Sequence, residues 1–165
     1  MENIFGKEYL KELEAEATAS RKCLERMKDE LYEYKPHEKS MQMGYLALLL
    51  ADIPKWITVS IEKGEVDFVT WDRFKGTTTA EFLEYFDKNI IDAKRALSNV
   101  SDKELEDMFY LKRGEEELMK STKKENVSSS LNHWVHHRGQ FSVYLRMNYI
   151  PVPSIYGPSA DDKTF

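Results

Sequence analysis

Apolar residues recur at helical spacing through four long segments of this chain, and this periodicity limits the possible folds more than any other feature of the sequence. In each segment the apolar positions fall on one face at helical spacing, so each predicted helix has one face to bury. The predicted helices span residues 7–32, 40–62, 80–100 and 126–149. The second and third connections are long, and we therefore predict an all-α fold, a four-helix bundle with crossover connections.

Capping residues, prolines and the connections between these segments lead to further predictions. The run "TTTAEF" places a threonine cap ahead of Glu81, a conventional start for the third helix. Pro54 lies inside the second helix and lacks an amide donor, so we expect a kink or a short break there. Residues 102–125 are compatible with a short helix, a hairpin around "RGEE" or an irregular crossover. The proline-containing stretch "YIPVPSIYGPSADD" predicts an extended C-terminal tail that lies along the bundle.

The length of 165 residues is that of one ordinary domain, residues 1–165, which can bury a substantial core without a metal or disulfides. The composition, 41% apolar and 32% charged, is that of a soluble helical protein. The net charge of -5 and the pI of about 5.5 argue against nucleic-acid binding, which normally requires a basic surface. Lysines and arginines are interleaved with acidic residues, as on a solvated surface.

Cys23 is the single cysteine, so no intramolecular disulfide can form and a cytoplasmic location is expected. Its helical context favours a buried thiol over a reactive one. The acidic start "MENIFGKEYLKELEAEA" lacks the basic and apolar regions of a signal peptide. The most apolar window, "YLALLLADIPKWI", contains Asp52 and Pro54 and is shorter than the roughly 20 residues that span a bilayer. We therefore expect a core helix there and no membrane association.

Three of the four histidines fall within "LNHWVHHRGQFSVYLR" in the last predicted helix. His133 and His137 are four residues apart, so their imidazoles can stack on one helix face and bind one metal ion. His136 can pair with His133 instead, but it diverges from His137 by about 100° around the helix axis. The common alternative is a metal-free pair on a surface helix, since two ligands do not complete a coordination shell. A third ligand must come from another helix.

The same segment, together with "VPSIYGPSADD", resembles the last helix and the tail of the DinB-like (DinB/YfiT) family. The stretch "YKPHEKSMQMGYLALLLADIPKW" resembles the second helix of that family, with its LA-x-H-x-A-x-x-P-x-W pattern, and "EAEATASRKCLERM" agrees with the first helix. The resemblance covers nearly the whole chain. It implies a four-helix bundle, often dimeric, that holds a divalent metal, nickel or zinc, through three histidines. Two of these ligands correspond to His133 and His137.

The third ligand of the family falls at Leu49, where this chain has no histidine. Leucine cannot coordinate a cation, and its side chain places apolar bulk where a ligand should be. Asp52 lies one turn after Leu49 and Tyr45 one turn before it, so either can approach the same point. A polar position on the flank of the helix is the simpler interpretation of Asp52. His37 is excluded as a ligand, because it would lie about 18 Å from Leu49 along a continuous helix.

Other residues of the sequence have structural interpretations. Arg138 is expected to pair with an acidic side chain of a neighbouring helix. Gly139 lowers helix propensity by about 1 kcal/mol relative to alanine, so its position within a helix suggests close helix or dimer packing. Trp56, Trp71 and Trp134 are expected in the core or an interface rather than in a nucleotide-binding platform.

Two functions follow from these observations. The resemblance implies a metal-dependent enzyme similar to thiol-dependent S-transferases that use bacillithiol or mycothiol, with catalytic residues that the sequence does not identify. The alternative is a non-catalytic helical dimer, or a small-molecule-binding protein that has lost the metal, in which His133 and His137 form a neutral, hydrogen-bonded pair facing a pocket. We expect a homodimer formed through exposed aromatic residues such as Trp56 or Phe141, with a small thiol or another small molecule as the ligand.

Overall fold

The computed structural model describes residues 2–164, which form five α-helices and three short strands. In chain order these elements are α1 (Phe5–Leu24), α2 (Met43–Lys63), β1 (Glu65–Asp67), α3 (Thr79–Asn99), α4 (Asp102–Leu105), β2 (Met108–Arg113), β3 (Glu116–Thr122) and α5 (Lys123–Met147). A 3-10 turn (Asp29–Leu31) lies in the connection between α1 and α2. The four long helices lie within a few residues of their predicted bounds, except at the end of α1.

The four long helices enclose one hydrophobic core. α2 packs against α3 and α5, and α1 packs against the same two helices, so α1 and α2 face each other diagonally. The apolar stripes predicted from the sequence point into this core, as Leu13 of α1, Leu50 of α2, Phe86 of α3 and Leu145 of α5 illustrate with 1% exposure or less. The amphipathic periodicity therefore identified the correct buried faces.

A small sheet corrects the expectation of an all-α fold. β1 pairs in parallel with β2, and β2 pairs with β3 in antiparallel orientation. The segment 102–125 forms the short helix α4 and the hairpin β2–β3, whose turn begins at Gly114 with a φ of 61°. Glycine adopts this left-handed conformation without the strain of a Cβ atom. Most of β3 is exposed, so its sequence lacks the apolar alternation that would have predicted a strand.

The helix starts depend on both local and distant caps. The predicted threonine cap is confirmed, because Thr78 and Glu81 form a reciprocal capping box at the start of α3. Thr122 and Glu125 form another box and begin α5 earlier than predicted. The start of α1 has no local side-chain cap. Instead, Asp102 accepts hydrogen bonds of 2.9 Å from the backbone amides of residues 4 and 5.

α1 ends eight residues before its predicted end. The chain turns after Leu24, and the start of α3 holds the turn in place. The amide of Thr79 donates to the Asp29 carboxylate at 2.7 Å, and the Thr79 hydroxyl donates to the carbonyl of Met27 at 2.9 Å. Because these contacts join residues about fifty positions apart, the local helical pattern could not reveal them.

α2 continues through Pro54 without the predicted break. Proline has no N–H group to donate to the carbonyl four residues earlier, which belongs to Leu50. The indole Nε1 of Trp134 on α5 donates to that carbonyl at 2.8 Å. The side chain of Asn89 on α3 likewise donates to the Ala51 carbonyl at 2.9 Å. Neighbouring helices thus satisfy backbone groups around the proline, and the helix needs no interruption.

α2 is the one helix among residues 2–164 that is long and apolar enough to cross a membrane by length and composition. Within the fold, 67% of its most apolar window is buried. The predicted interpretation of this segment as a core helix agrees with that burial.

The C-terminal tail follows the bundle, as predicted from its prolines. The Asp161 carboxylate pairs with Arg146 of α5 and accepts a hydrogen bond from the amide of Val152. The Asp162 carboxylate accepts a hydrogen bond of 3.0 Å from the amide of Ser154. Carboxylates of the tail therefore fold it back on itself and attach it to the end of α5.

Candidate functional site

His133 and His137 face each other on the surface of α5. Nε2 of His137 is 2.7 Å from Nε2 of His133, and the ring centroids are 4.4 Å apart. Two imidazole nitrogens bound to one ion lie roughly 3 Å apart, so the observed pair is close to a chelating arrangement. His136 is exposed and places its ring edge-on to His137, with the centroids 5.1 Å apart. The structure thus brings together the two histidines that the spacing singled out.

Gln140 fixes the orientation of this pair. Its Oε1 lies 2.8 Å from Nδ1 of His137, and an amide oxygen only accepts, so Nδ1 carries the proton of the His137 ring. Nε2 of His137 then accepts from Nε2–H of His133. Burial lowers the pKa of both imidazoles, and the charge of neighbouring imidazoles lowers the pKa of His133 further. Both rings are therefore neutral near pH 7, the state in which histidine binds metal.

α5 lies antiparallel against α2 in a constant register. Two hydrogen bonds join them in order, Asn126 to the hydroxyl of Ser60 and Trp134 to the carbonyl of Leu50, and a third joins Tyr144 to the carbonyl of Met41 just before α2. Leu49 precedes Ser60 by eleven residues, which is about three helical turns. His137 follows Asn126 by the same interval, and the register therefore places Leu49 opposite His137.

The residues at this position do not fit a three-histidine metal site. Leu49 stands at the position where the family resemblance predicts a third ligand, and it has no donor atom. Within residues 2–164, no group of three or more histidine, cysteine, aspartate or glutamate side chains is arranged to hold a metal ion. At this position the described part of the chain offers two nitrogen ligands, fewer than the three or four that protein zinc sites use.

Asp52 does not replace the missing ligand. It is 7% exposed, and its carboxylate accepts hydrogen bonds from Nε1 of Trp56 at 3.2 Å, Nε1 of Trp71 at 3.1 Å and the hydroxyl of Tyr85 at 2.6 Å. Burial, followed by the nearby Asp52, raises the pKa of the Tyr85 hydroxyl, which therefore stays a proton donor. Asp52 was expected as a polar residue on the flank of the helix, and the structure adds that its side chain is buried within this network.

The other two residues weighed as ligands lie elsewhere. Tyr45 is 49% exposed and lies at the edge of a cavity on the outer side of α2. His37 lies in the connection between α1 and α2, where its Nδ1 accepts a hydrogen bond from the amide of Lys39. Neither side chain completes the histidine pair.

A cavity of about 270 Å³ opens beside Leu49, and we call it the aromatic cavity. α2 contributes Tyr45, Leu48, Leu49, Asp52 and Trp56, and the connection between β1 and α3 contributes Phe68, Trp71, Arg73 and Phe74. The ring of Trp56 lies 5.4 Å from that of Trp71 and 5.7 Å from that of Phe68, measured between centroids. Leu49 therefore belongs to both places: it lines the aromatic cavity, and it lies opposite the histidine pair.

Sequence reasoning did not identify this cavity. The stretch "FVTWDRF", residues 68–74, lies outside the predicted helices and places three aromatic residues at intervals of three. Aromatic side chains are large and apolar, so such a density in a connection indicates that the segment packs against something. Here it covers the outer face of α2, and Asp52 anchors it through Trp71.

The predicted ion pair of Arg138 is present and buried. Arg138 is 1% exposed, and its Nη1 lies 2.5 Å from the carboxylate of Glu16 on α1. Its Nη2 donates to the hydroxyl of Tyr156 at 2.6 Å, and that hydroxyl donates to Glu16 at 3.0 Å. Burial also raises the pKa of the nearby Cys23 thiol to about 11, so the expectation of an inert, buried cysteine is confirmed.

Two expectations about packing are corrected in part. Apart from its own helix backbone and chain neighbours, a Cβ atom at Gly139 would meet no atom of residues 2–164 within 4 Å, so close helix packing inside the fold is excluded and close packing in a dimer stays a prediction. Phe141 is fully buried in the core and cannot act as an exposed aromatic anchor. Trp134 is also buried, as expected, whereas Trp56 and Trp71 are partly buried walls of the aromatic cavity.

Comparison with known proteins agrees with this architecture. A DinB-like protein from Bacillus subtilis superimposes with a TM-score of 0.71 at 17% identity, covering 94% of this chain and 99% of that chain. A DinB-like protein from Bacillus cereus gives a TM-score of 0.68 at 22% identity, covering 90% of this chain and 95% of that chain. No curated protein matches the sequence. The sequence profile of the DinB family matches residues 1–164, and the chain therefore belongs to the DinB family.

Proposed function

We propose that this DinB family member is a small-molecule-binding protein in which the metal site of the family is reduced to two histidines. The observation that supports the proposal is the double position of Leu49. By register it lies opposite His137, and its side chain lines the aromatic cavity. The residue that would supply a third ligand thus supplies an apolar wall.

The cavity has the features of a small ligand site. Its walls are mostly aromatic and aliphatic, and few polar groups converge on it. The hydrogen bonds from Trp56, Trp71 and Tyr85 to Asp52 hold two of the rings and the covering connection in place. A preformed wall of this kind lowers the entropy cost of ordering side chains when a ligand binds.

The metal content of the purified protein distinguishes this proposal from a metal-dependent enzyme. Protein purified without an affinity tag is analysed for nickel and zinc beside a His137→Ala control. We expect well under one ion per chain in both preparations. About one ion per chain that disappears in His137→Ala would contradict the loss of the metal.

The second candidate is a metal-dependent enzyme resembling thiol-dependent S-transferases, with a divalent metal and a small thiol. The convergence of the Nε2 atoms of His133 and His137, with Gln140 orienting the pair, favours it. These two histidines would hold the metal, and the third ligand would have to come from outside the chain. The same elemental analysis, repeated with bacillithiol or mycothiol present, decides whether a thiol completes the site.

We also propose a cytoplasmic homodimer without affinity for nucleic acid or membranes. Exposed residues on α5 support the dimer: Val143 is 55% and Met147 is 50% exposed, and both continue the stripe of Gly139. Sedimentation of wild type and Val143→Glu tests this interface, and we expect the variant to shift towards the monomer. An unchanged sedimentation coefficient would exclude this surface.

A further inference from the structure

We infer that the aromatic cavity takes a small aromatic ligand carrying one anionic group, with the ring inside and the anion at the rim beside Arg73. This inference rests on the proposed function and names the ligand class for the same site. It follows from three features of the cavity: its aromatic walls, the carboxylate at its floor and the guanidinium at its rim.

The walls select a flat, apolar body. Three aromatic rings form one wall of the space. The ring centroid of Trp56 lies 5.4 Å from that of Trp71 and 5.7 Å from that of Phe68, and both neighbours are tilted against Trp56. Aromatic rings prefer such tilted or offset neighbours over exact face-to-face stacking. The volume of about 270 Å³ lies just below the range of pockets for drug-sized molecules, so the ligand is small.

The floor excludes an anionic group. Asp52 is buried, and both of its oxygens already accept hydrogen bonds from Trp56, Trp71 and Tyr85. A ligand carboxylate placed there would face another carboxylate without a donor left for it. The deep end of the ligand must therefore be apolar.

The rim offers a cation. Arg73 is exposed and lines both the aromatic cavity and a neighbouring depression that Arg113 also borders. Within the described residues 2–164, the guanidinium of Arg73 has no ion-pair or hydrogen-bond partner. A guanidinium presents paired N–H donors that match a carboxylate, so an anionic group at the rim would be bound there.

A cationic ligand fits these groups less well. The three donors on Asp52 already occupy the carboxylate that would attract it. Lys55 holds a positive charge on the other side of Trp71, with Nζ 4.5 Å from that ring centroid and donating to the Asp72 carbonyl. Lys55 and Arg73 thus place two cationic groups near the Trp71 wall, and their repulsion disfavours a cationic ligand there.

Calorimetric titration with three probes tests the inference on the full chain. Naphthylacetate is the anion, naphthylacetamide is its neutral counterpart, and naphthylethylamine is the cation. We expect the acid to bind about tenfold more tightly than the amide, because a hydrogen bond from the guanidinium to a carboxylate is stronger than one to a neutral amide. Arg73→Gln should bring the affinity for the acid down to that for the amide without changing the latter. Lys75→Gln removes a charge from the same connection outside the cavity and should change neither.

The outcomes separate this inference from the proposed function. Equal binding of acid and amide, tightest binding of the amine, or an equal loss of both ligands in Arg73→Gln would overturn the anion assignment while keeping a binding cavity. Leu49→Trp fills the cavity and should abolish binding of both the acid and the amide. If wild type binds none of the three probes, both the inference and the proposed function fail.

Discussion

Two adjoining stripes of α5 differ in how completely the fold uses their polar groups. In one stripe, Arg138 is bonded to Glu16 of α1 and to Tyr156 of the tail, so one cluster joins three parts of the chain. In the other stripe, His133 and His137 are bonded to each other and to Gln140, all within α5. The first stripe begins at Trp134 and the second at His133, so they start one residue apart in the sequence.

We therefore expect the Arg138 stripe to contribute to the stability of the fold and the histidine stripe to contribute to binding. Arg138 is fully enclosed and has no capacity left for a ligand, whereas His133 is exposed and its Nε2 atom converges with that of His137. Breaking the first should therefore destabilise the fold. Changing the second should alter binding and leave the fold intact.

The largest expected effect is on the Arg138 cluster. Arg138→Met leaves the carboxylate of Glu16 buried without its cation and should lower the free energy of unfolding by about 3 to 5 kcal/mol. Urea denaturation measures the loss. In the double variant Arg138→Met with Glu16→Leu, most of the stability should return because no charge is left buried. A double variant as unstable as the single one would show that packing, not the unpaired charge, causes the loss.

The next largest effect concerns the histidine stripe and its capacity to bind a metal ion. Leu49→His restores a third donor opposite His137, so zinc or nickel should stabilise this variant by about 2.7 kcal/mol at a concentration one hundred times the dissociation constant. Thermal unfolding with and without metal measures the gain. Leu49→Asn is the polar control, and adding His133→Ala to Leu49→His should remove the gain. Equal stabilisation of wild type by metal would mean that Leu49 is not the missing ligand position.

A smaller effect concerns Trp134, which lies next to His133 but belongs to the structural stripe. Trp134→Phe leaves the carbonyl of Leu50 without a donor and should cost about 1 to 3 kcal/mol. Pro54→Ala restores an amide that can donate to the same carbonyl, so Trp134→Phe should cost less in that background. A double-mutant cycle by urea denaturation measures this difference. If the losses of stability in the two single variants simply added up in the double variant, the indole hydrogen bond would not compensate for the amide that Pro54 lacks.

The smallest effect lies in the tail, which carries Tyr156 to the Arg138 cluster. Hydrogen bonds from the amide of Ser154 and then from Thr164 lower the pKa of Asp162 from 3.8 to about 2. The carboxylate therefore contributes stability above its ordinary pKa and loses it as pH falls from 3.8 towards 2. The difference in unfolding free energy between wild type and Asp162→Asn should shrink over that interval. An unchanged difference between wild type and Asp162→Asn across that interval would show that these hydrogen bonds do not hold the carboxylate in its charged form.

Local patterns predicted the parts of the fold that depend on neighbours in sequence. The inward faces of the long helices, the capping box at Thr78 and the stacking of His133 on His137 all follow from helical periodicity. The end of α1 and the uninterrupted α2 could not be predicted in this way. The first depends on Thr79 contacting Asp29, and the second on Trp134 reaching the Leu50 carbonyl.

The sequence by itself determined four amphipathic helices and the approach of His133 to His137 on the last of them. Only the tertiary structure decided that Leu49 lies opposite His137, that Asp52 is enclosed by three donors, and that an aromatic cavity lies between the connection and α2. The physical reason is that periodicity specifies which face of a helix is buried. The register between two helices and the path of a connection depend instead on side chains that meet only after the whole chain has packed.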